Sequence, residues 1–64
     1  MTGNDYMRLA QELLQMRERA RPEPGAVDAV GIDTANSHLL IAARMFQRVG
    51  EKRAELARVG TETP

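Results

Sequence analysis

The chain has no cysteine and no tryptophan, a single histidine, one tyrosine and one phenylalanine. Without cysteine it can form neither a disulfide nor a thiolate metal site, and one histidine without clustered carboxylates disfavours a structural metal. Nine basic residues balance nine acidic ones, so the chain has no general attraction to nucleic acid or to an anionic membrane. We therefore expect no cofactor, no metal and no DNA or RNA partner.

Long apolar runs are also absent. The longest one covers residues 39–43, far short of the roughly 20 residues that a membrane-spanning helix needs. Met1–Asp5 lacks the basic segment and apolar core of a signal peptide. These features predict a cytoplasmic protein that contacts no membrane.

The chain is short for an independent fold. Its 64 residues make one small domain, and a chain of this size buries only about 60% of its unfolded surface. Such domains usually rely on disulfides, a metal or oligomerisation. Because the composition disfavours the first two, we expect oligomerisation.

Helical spacing of apolar residues predicts a first helix over about 5–21, with Asn4 or Asp5 as its N-cap. Two prolines and a glycine then predict a turn over residues 22–26. A connection this short favours antiparallel packing of the flanking helices.

A second, longer helix is predicted over about 33–59, followed by a flexible tail, 60–64. Its start has two alternatives. Asp33 can cap the helix after a break at Gly31, because glycine costs about 1 kcal/mol inside a helix, or Asp28 can cap a helix that continues through Gly31. The predicted seam has alternating spacings of three and four, with Arg53 interrupting it, and comprises Ile32, Ala35, Leu39, Ala42, Phe46, Val49 and Leu56.

The middle of this second helix is apolar almost all the way round, and such a helix must be buried on several sides. One short partner helix cannot supply that burial. The sequence therefore predicts an all-α, antiparallel two-helix hairpin that forms a helical homo-oligomer, from dimer to hexamer. The expected oligomer interface comprises Leu39, Leu40, Ile41, Ala42, Met45, Phe46 and Val49.

Enzymatic chemistry is disfavoured. Ser37 and His38 are adjacent on a helix, where the imidazole is not placed to activate the hydroxyl. His38 is a helix-contact residue or a ligand contact, and Ser37 is a capping residue or part of a polar lining. Arg44 and Arg48 form a basic ridge that is either solvated or binds phosphate. Tyr6 either packs against a neighbouring helix or stacks on a base.

The segment 33–49 resembles the second helix of the phage anti-CBASS and anti-Thoeris hairpin family. The residues that carry the resemblance are Ala35, Ser37, Leu39, Ala42, Arg48 and Val49. The overall layout is also similar, with a short helix, a turn and a longer helix. The resemblance implies a helical homo-oligomer, often a hexamer, that sequesters cyclic oligonucleotide immune signals in pockets between subunits and hydrolyses nothing. It would act in the host cytoplasm if a phage encodes it.

The resemblance also implies roles for particular residues. Tyr6 would stack on a base, and Arg21 would bind phosphate together with Arg44 or Arg48. Ser37 and His38 would line the pocket, at the head of the second helix, where some members bind cyclic trinucleotides. The alternative is a structural or adaptor protein, in which two hairpins form a four-helix bundle that docks on a protein partner.

Overall fold

Two α-helices form the described part of the chain. The computed structural model describes the backbone of residues 1–62 and the side chains of residues 1–59. Helix α1 spans Gly3–Arg19 and helix α2 spans Ala29–Glu62, and the two pack along each other as a hairpin. No β-strand occurs in the described range. The prediction of an all-α helical hairpin is confirmed, and the molecule is a rod of 60 × 14 × 14 Å.

Helix α1 begins two residues earlier than predicted, because Thr2 is its N-cap. The Thr2 hydroxyl accepts a hydrogen bond from the Asp5 amide at 3.2 Å, and the Thr2 amide donates to Asp5 Oδ2 at 2.8 Å. This reciprocal pair is a capping box, which satisfies two of the free amides at a helix start. Asn4 and Asp5, the predicted caps, therefore lie inside the first turn.

The connection between the helices covers residues 20–28, which is longer than the predicted turn at 22–26. Ala20 ends α1, and its amide donates to the Met16 carbonyl at 3.0 Å. Pro22 cannot donate a backbone hydrogen bond, and Gly25 adopts a positive φ of 79° that other residues rarely take. These residues reverse the chain direction.

Helix α2 is continuous through Gly31, so it begins at Ala29 rather than at residue 33. The Ile32 amide donates to the Asp28 carbonyl at 3.0 Å, which places Asp28 at the N-terminal boundary. A side chain added at Gly31 would meet nothing within 4 Å, so this glycine serves no close contact. Its propensity cost of about 1 kcal/mol does not outweigh the packing of the rest of a 34-residue helix.

The end of α2 also differs from the prediction. The helix continues past Gly60 to Glu62, where the sequence predicts a flexible tail over residues 60–64. Thr63 and Pro64, the last residues of that predicted tail, lie outside the described residues.

Small residues set the contact between α1 and α2. Ala10 and Ala43 are the buried hydrophobic residues of the described chain, and no large side chain in it is fully buried. Gly3 and Gly50 are buried where the helices come closest. The face of α2 that contacts α1 therefore runs through Ala43 and Gly50 and through buried Asn36. Three residues of the predicted seam, Ala35, Val49 and Leu56, are exposed and do not contribute to the contact with α1.

The face of α2 that points away from α1 carries an exposed apolar stripe. Val30 is 80% exposed, Ile41 55% and Met45 62%. At 100° per residue these side chains share one side of the helix with two further exposed ones, Val49 and Leu56. We call these five residues the α2 stripe. No residue of the described part of the hairpin covers it.

Candidate functional site

A polar pocket lies where the turn meets the two helices. It is lined by Arg17, Arg21, Pro22, Asp33, Asn36 and Ser37 and has a volume of about 420 Å³. Ligand pockets commonly have volumes of about 300–1,000 Å³. We call it the turn pocket.

Asn36 joins the two sides of the turn pocket. Its Nδ2 donates to the Ala20 carbonyl at 3.0 Å, and this carbonyl belongs to the residue that ends α1. Carbonyls at a helix end lack intrahelical partners, so the bond satisfies one of them and fixes the turn against α2. Asn36 is only 7% exposed, which makes it the buried polar anchor of this end of the hairpin.

The α1 side of the turn pocket is basic. Arg17 lies in the last turn of α1 and Arg21 follows the helix end, four residues later. The Arg21 guanidinium is 3.1 Å from the Glu18 carboxylate, and both side chains are largely exposed. An exposed ion pair of this kind contributes at most about 1 kcal/mol. Arg21 can therefore exchange Glu18 for a ligand at low cost.

The α2 side of the turn pocket offers oxygen atoms. Asp33, Asn36 and Ser37 share one face of α2, at positions i, i+3 and i+4. The Ser37 hydroxyl donates to the Asp33 carbonyl at 3.0 Å, so its oxygen can still accept a hydrogen bond. The Asp33 carboxylate makes no hydrogen bond or ion pair within the described residues.

Two buried polar atoms of the turn pocket residues have no partner within the described chain. They are Arg17 Nε, a donor, and Asn36 Oδ1, an acceptor. Each such atom costs about 1–3 kcal/mol when it is left unsatisfied. A ligand or a second subunit that supplied hydrogen bonds to these atoms would therefore bind more tightly.

The structure brings together two of the predicted ligand-binding residues, Arg21 and Ser37, in the turn pocket. It places Tyr6 elsewhere. Tyr6 lies in the first turns of α1, whereas Arg21 lies beyond its other end, so about 20 Å of helix separates them. One chain cannot use both on the same small ligand.

Tyr6 is engaged inside the hairpin. Its ring stacks on Phe46 with a centroid separation of 5.8 Å, and the Arg53 guanidinium carbon lies 5.0 Å from the Tyr6 centroid. Arg53 also donates to the Met1 carbonyl at 3.2 Å. This explains why a charged residue interrupts the predicted apolar seam, since arginine covers an aromatic face well. A base that stacked on Tyr6 would have to displace Arg53.

The remaining predicted ligand residues lie apart from the turn pocket. Arg44 and Arg48 flank a shallower, mainly apolar groove of about 450 Å³ in the middle of the hairpin, beside Leu14 and Leu40. Seven residues of helix, about 10 Å, separate Arg44 from Ser37. His38 is exposed, and its Nδ1 lies 2.8 Å from the Thr34 carbonyl. A carbonyl only accepts, so Nδ1 carries the proton in that bond.

Sequence reasoning did not single out Arg17, Asp33 or Asn36 as site residues. Asn36 had a recognisable signal, because it precedes Ala43 and Gly50 at intervals of seven on the face toward α1. A polar side chain at such a position needs a buried partner. Arg17 carried no signal of this kind, since a basic residue in the last turn of a helix is favourable for the helix dipole alone. The sequence predicts Asp33 as a capping residue of the second helix.

Comparisons with protein-family models, with curated proteins and with solved structures give no match to this chain. Within the described residues, neither helix has a stretch long and apolar enough to cross a membrane. That part of the chain also has no group of three or more metal-ligating side chains.

Proposed function

We propose that the chain is a non-catalytic protein that self-associates and sequesters cyclic oligonucleotide signals. The observation that carries the proposal is the turn pocket, in which Arg17 and Arg21 face the polar end of α2. Arginine binds phosphate through several directed N–H groups. Bound signal would be withheld from its effector by mass action, without any chemical step.

The exposed surface supports self-association. A compact chain of 7.1 kDa is expected to expose about 4,100 Å², whereas this hairpin exposes 5173 Å². The excess, about 1,100 Å², is sufficient for the roughly 800 Å² that one partner contributes to a standard interface. The α2 stripe is the apolar part of that surface, and a second copy of the chain is the occupant that we propose for it.

The charges beside the α2 stripe favour an antiparallel neighbour. Arg44 and Arg48 lie on one flank of the α2 stripe, and Glu51 and Glu55 follow on the same flank. A parallel copy would align like charges, whereas an antiparallel copy sets basic groups against acidic ones.

This antiparallel register places the Tyr6 ends of the two hairpins side by side, because Tyr6 packs on Phe46 and Arg53. A ligand pocket that used Tyr6 and Arg21 together would therefore need a further subunit.

A thermal unfolding series with cyclic di- and trinucleotides tests the proposal. A ligand at 100 times its Kd stabilises the folded state by about 2.7 kcal/mol. Since 1 kcal/mol corresponds to about 4–8 °C for a domain of this size, we expect the melting temperature to rise by roughly 10–20 °C. The ligand should be recovered intact by chromatography after long incubation.

Matched variants locate the binding site. Arg21→Gln should remove most of the shift, whereas Arg19→Gln, a basic residue of the last turn of α1 that does not line the turn pocket, should leave it unchanged. Tyr6→Leu keeps an apolar contact with Phe46 but cannot stack on a base. A loss of the shift in both Arg21→Gln and Tyr6→Leu, with normal folding, would support a pocket between subunits.

The α2 stripe favours a second candidate, an adaptor hairpin that docks on another protein. It needs no ligand, and the Tyr6–Phe46–Arg53 cluster is then a purely structural contact. The absence of any thermal shift across the nucleotide series would contradict sequestration and favour this adaptor.

A further inference from the structure

Asp33 is an unexpected residue in a pocket for phosphate. Its carboxylate is exposed, has no partner in the described chain and lines the same pocket as Arg17 and Arg21. A carboxylate repels a phosphate group, so a site that bound only phosphate would be better without it. Its presence indicates that the ligand also offers hydrogen-bond donors.

The acceptors of the turn pocket lie side by side on α2. Asp33 and Asn36 are one helical turn apart on the same face. The Asn36 side-chain Nδ2 already donates to the Ala20 carbonyl. Its Oδ1 has no hydrogen-bond partner in the described chain. Asn36 Oδ1 is buried, so the acceptors that the turn pocket presents along α2 are the exposed Asp33 carboxylate and Ser37 hydroxyl, opposite the arginine donors of the α1 side.

This arrangement distinguishes the purine bases. The Watson–Crick edge of guanine has two neighbouring donors, N1–H and N2–H, and guanine also carries the O6 and N7 acceptors that arginine binds in a bidentate manner. Adenine has an unprotonated N1 beside its amino group, so a carboxylate there would face a lone pair. A carboxylate can accept both guanine donors at once.

We propose that the turn pocket reads a guanine base of the ligand, with Asp33 accepting from N1–H and N2–H and one of the two arginines donating to O6 and N7, while the other arginine binds phosphate. This inference rests on the proposed binding of cyclic oligonucleotides and adds a preference for guanine over adenine.

Isothermal titration of the full chain with cyclic di-GMP and with cyclic di-AMP tests the preference. A correct or incorrect base contact typically changes binding by about 1–3 kcal/mol, so we expect cyclic di-GMP to bind roughly 10–100-fold more tightly. Asp33→Asn, which replaces one acceptor oxygen by a donor, should weaken cyclic di-GMP binding about as much and should not weaken cyclic di-AMP binding, since it removes a charge that opposes adenine N1 and phosphate. Asp28→Asn, the same substitution outside the turn pocket, is the control.

The outcomes separate this inference from the proposed function. Equal affinity for the two cyclic dinucleotides, or an unchanged ratio in Asp33→Asn, overturns guanine reading and leaves sequestration standing. Binding of neither cyclic dinucleotide, with binding of a cyclic trinucleotide of adenine alone, also overturns guanine reading. Absence of binding to any cyclic oligonucleotide overturns both.

Inorganic phosphate serves as a third titrant. An affinity for phosphate equal to that for cyclic di-GMP would show a simple anion site and contradict the inference.

Discussion

Gly3 and Gly50 lie where α1 and α2 come closest, and neither position has room for a side chain. A Cβ at Gly50 would be 2.6 Å from the Gly3 carbonyl oxygen and 2.6 Å from Met7 Cγ. The Met7 side chain can move, but the Gly3 oxygen belongs to the backbone, so the helices would have to separate. Glycine costs about 1 kcal/mol of helix propensity relative to alanine, but at these two positions it allows the close contact between α1 and α2.

Gly50→Ala should therefore destabilise the hairpin although alanine is the better helix former. Overpacking costs about 1–3 kcal/mol. Most of this range exceeds the roughly 1 kcal/mol that alanine gains over glycine in helix propensity. The net loss reaches about 2 kcal/mol, so we expect the melting temperature to fall by up to roughly 8–16 °C at a fixed protein concentration, given about 4–8 °C per kcal/mol.

Gly31→Ala is the matched control, because the same substitution meets open space there. It should raise the melting temperature by a few degrees, since only the gain in helix propensity of about 1 kcal/mol remains. Stabilisation by both substitutions would show that the close crossing at Gly50 does not hold the helices together.

Individual residues were the least predictable part of this chain. The sequence identified Arg21 and Ser37 as candidates, and the structure places both in the turn pocket. It could not show that Arg53 lies over Tyr6, because that contact joins the two ends of the hairpin and depends on the register between the helices. The predicted seam contains Ala42, whereas the buried residue is its neighbour Ala43, a difference of one residue in that register.

At the level of single elements, helix propensity and turn chemistry predicted two helices and a reversal between them. The boundaries were less well predicted. Thr2 was overlooked as the N-cap because Asn4 and Asp5 are equally good capping residues, and only the reciprocal bonds between Thr2 and Asp5 decide the matter. Gly31 suggested a break, but the helix continues through it.

The capping box at the start of α1 makes a prediction about pH. The Thr2 amide, which donates to Asp5 Oδ2 at 2.8 Å, holds the pKa of the Asp5 carboxyl below its ordinary value, and the Thr2 hydroxyl acts in the same direction. A carboxyl whose pKa is lower in the folded chain than in the unfolded chain stabilises the folded state at pH values above its unfolded pKa, which is about 3.9 for aspartate. That contribution is lost as the pH falls through the lower folded value.

Asp5→Asn should therefore melt at a lower temperature than the wild type at pH 6, and the two melting curves should converge as the pH falls below about 4. Glu12→Gln is the control, because it removes a carboxylate of α1 that makes no hydrogen bond in the described structure. Its difference from the wild type should not follow the same pH profile. A constant gap between Asp5→Asn and the wild type from pH 6 to pH 2.5 would contradict the prediction.

At the scale of the whole molecule, the hairpin is underpacked as a single chain. Its described residues bury no large side chain completely, and hydrophobic burial is the main favourable contribution to folding. A monomer of this kind would be marginal. The exposed α2 stripe offers the missing burial, since a fully buried aliphatic side chain contributes about 1.5–3 kcal/mol.

Self-association through the α2 stripe is therefore the last prediction. Sedimentation should give a mass that is a multiple of the 7.1 kDa chain. Ile41→Glu combined with Met45→Glu puts two charges into the proposed interface, and we expect the dissociation constant to rise by at least about 100-fold, since each 1.4 kcal/mol is a factor of ten. Gln15→Glu, on an exposed position of α1, should leave the mass unchanged.

The melting temperature gives an independent test of the same interface, because it depends on protein concentration only when folding is coupled to association. The wild type should melt at higher temperature as its concentration rises, and the Ile41→Glu, Met45→Glu double variant should melt at a low, constant temperature. If the wild type sediments as a single chain and melts independently of concentration, the α2 stripe is free for another protein. The adaptor function would then account for it better than sequestration between subunits.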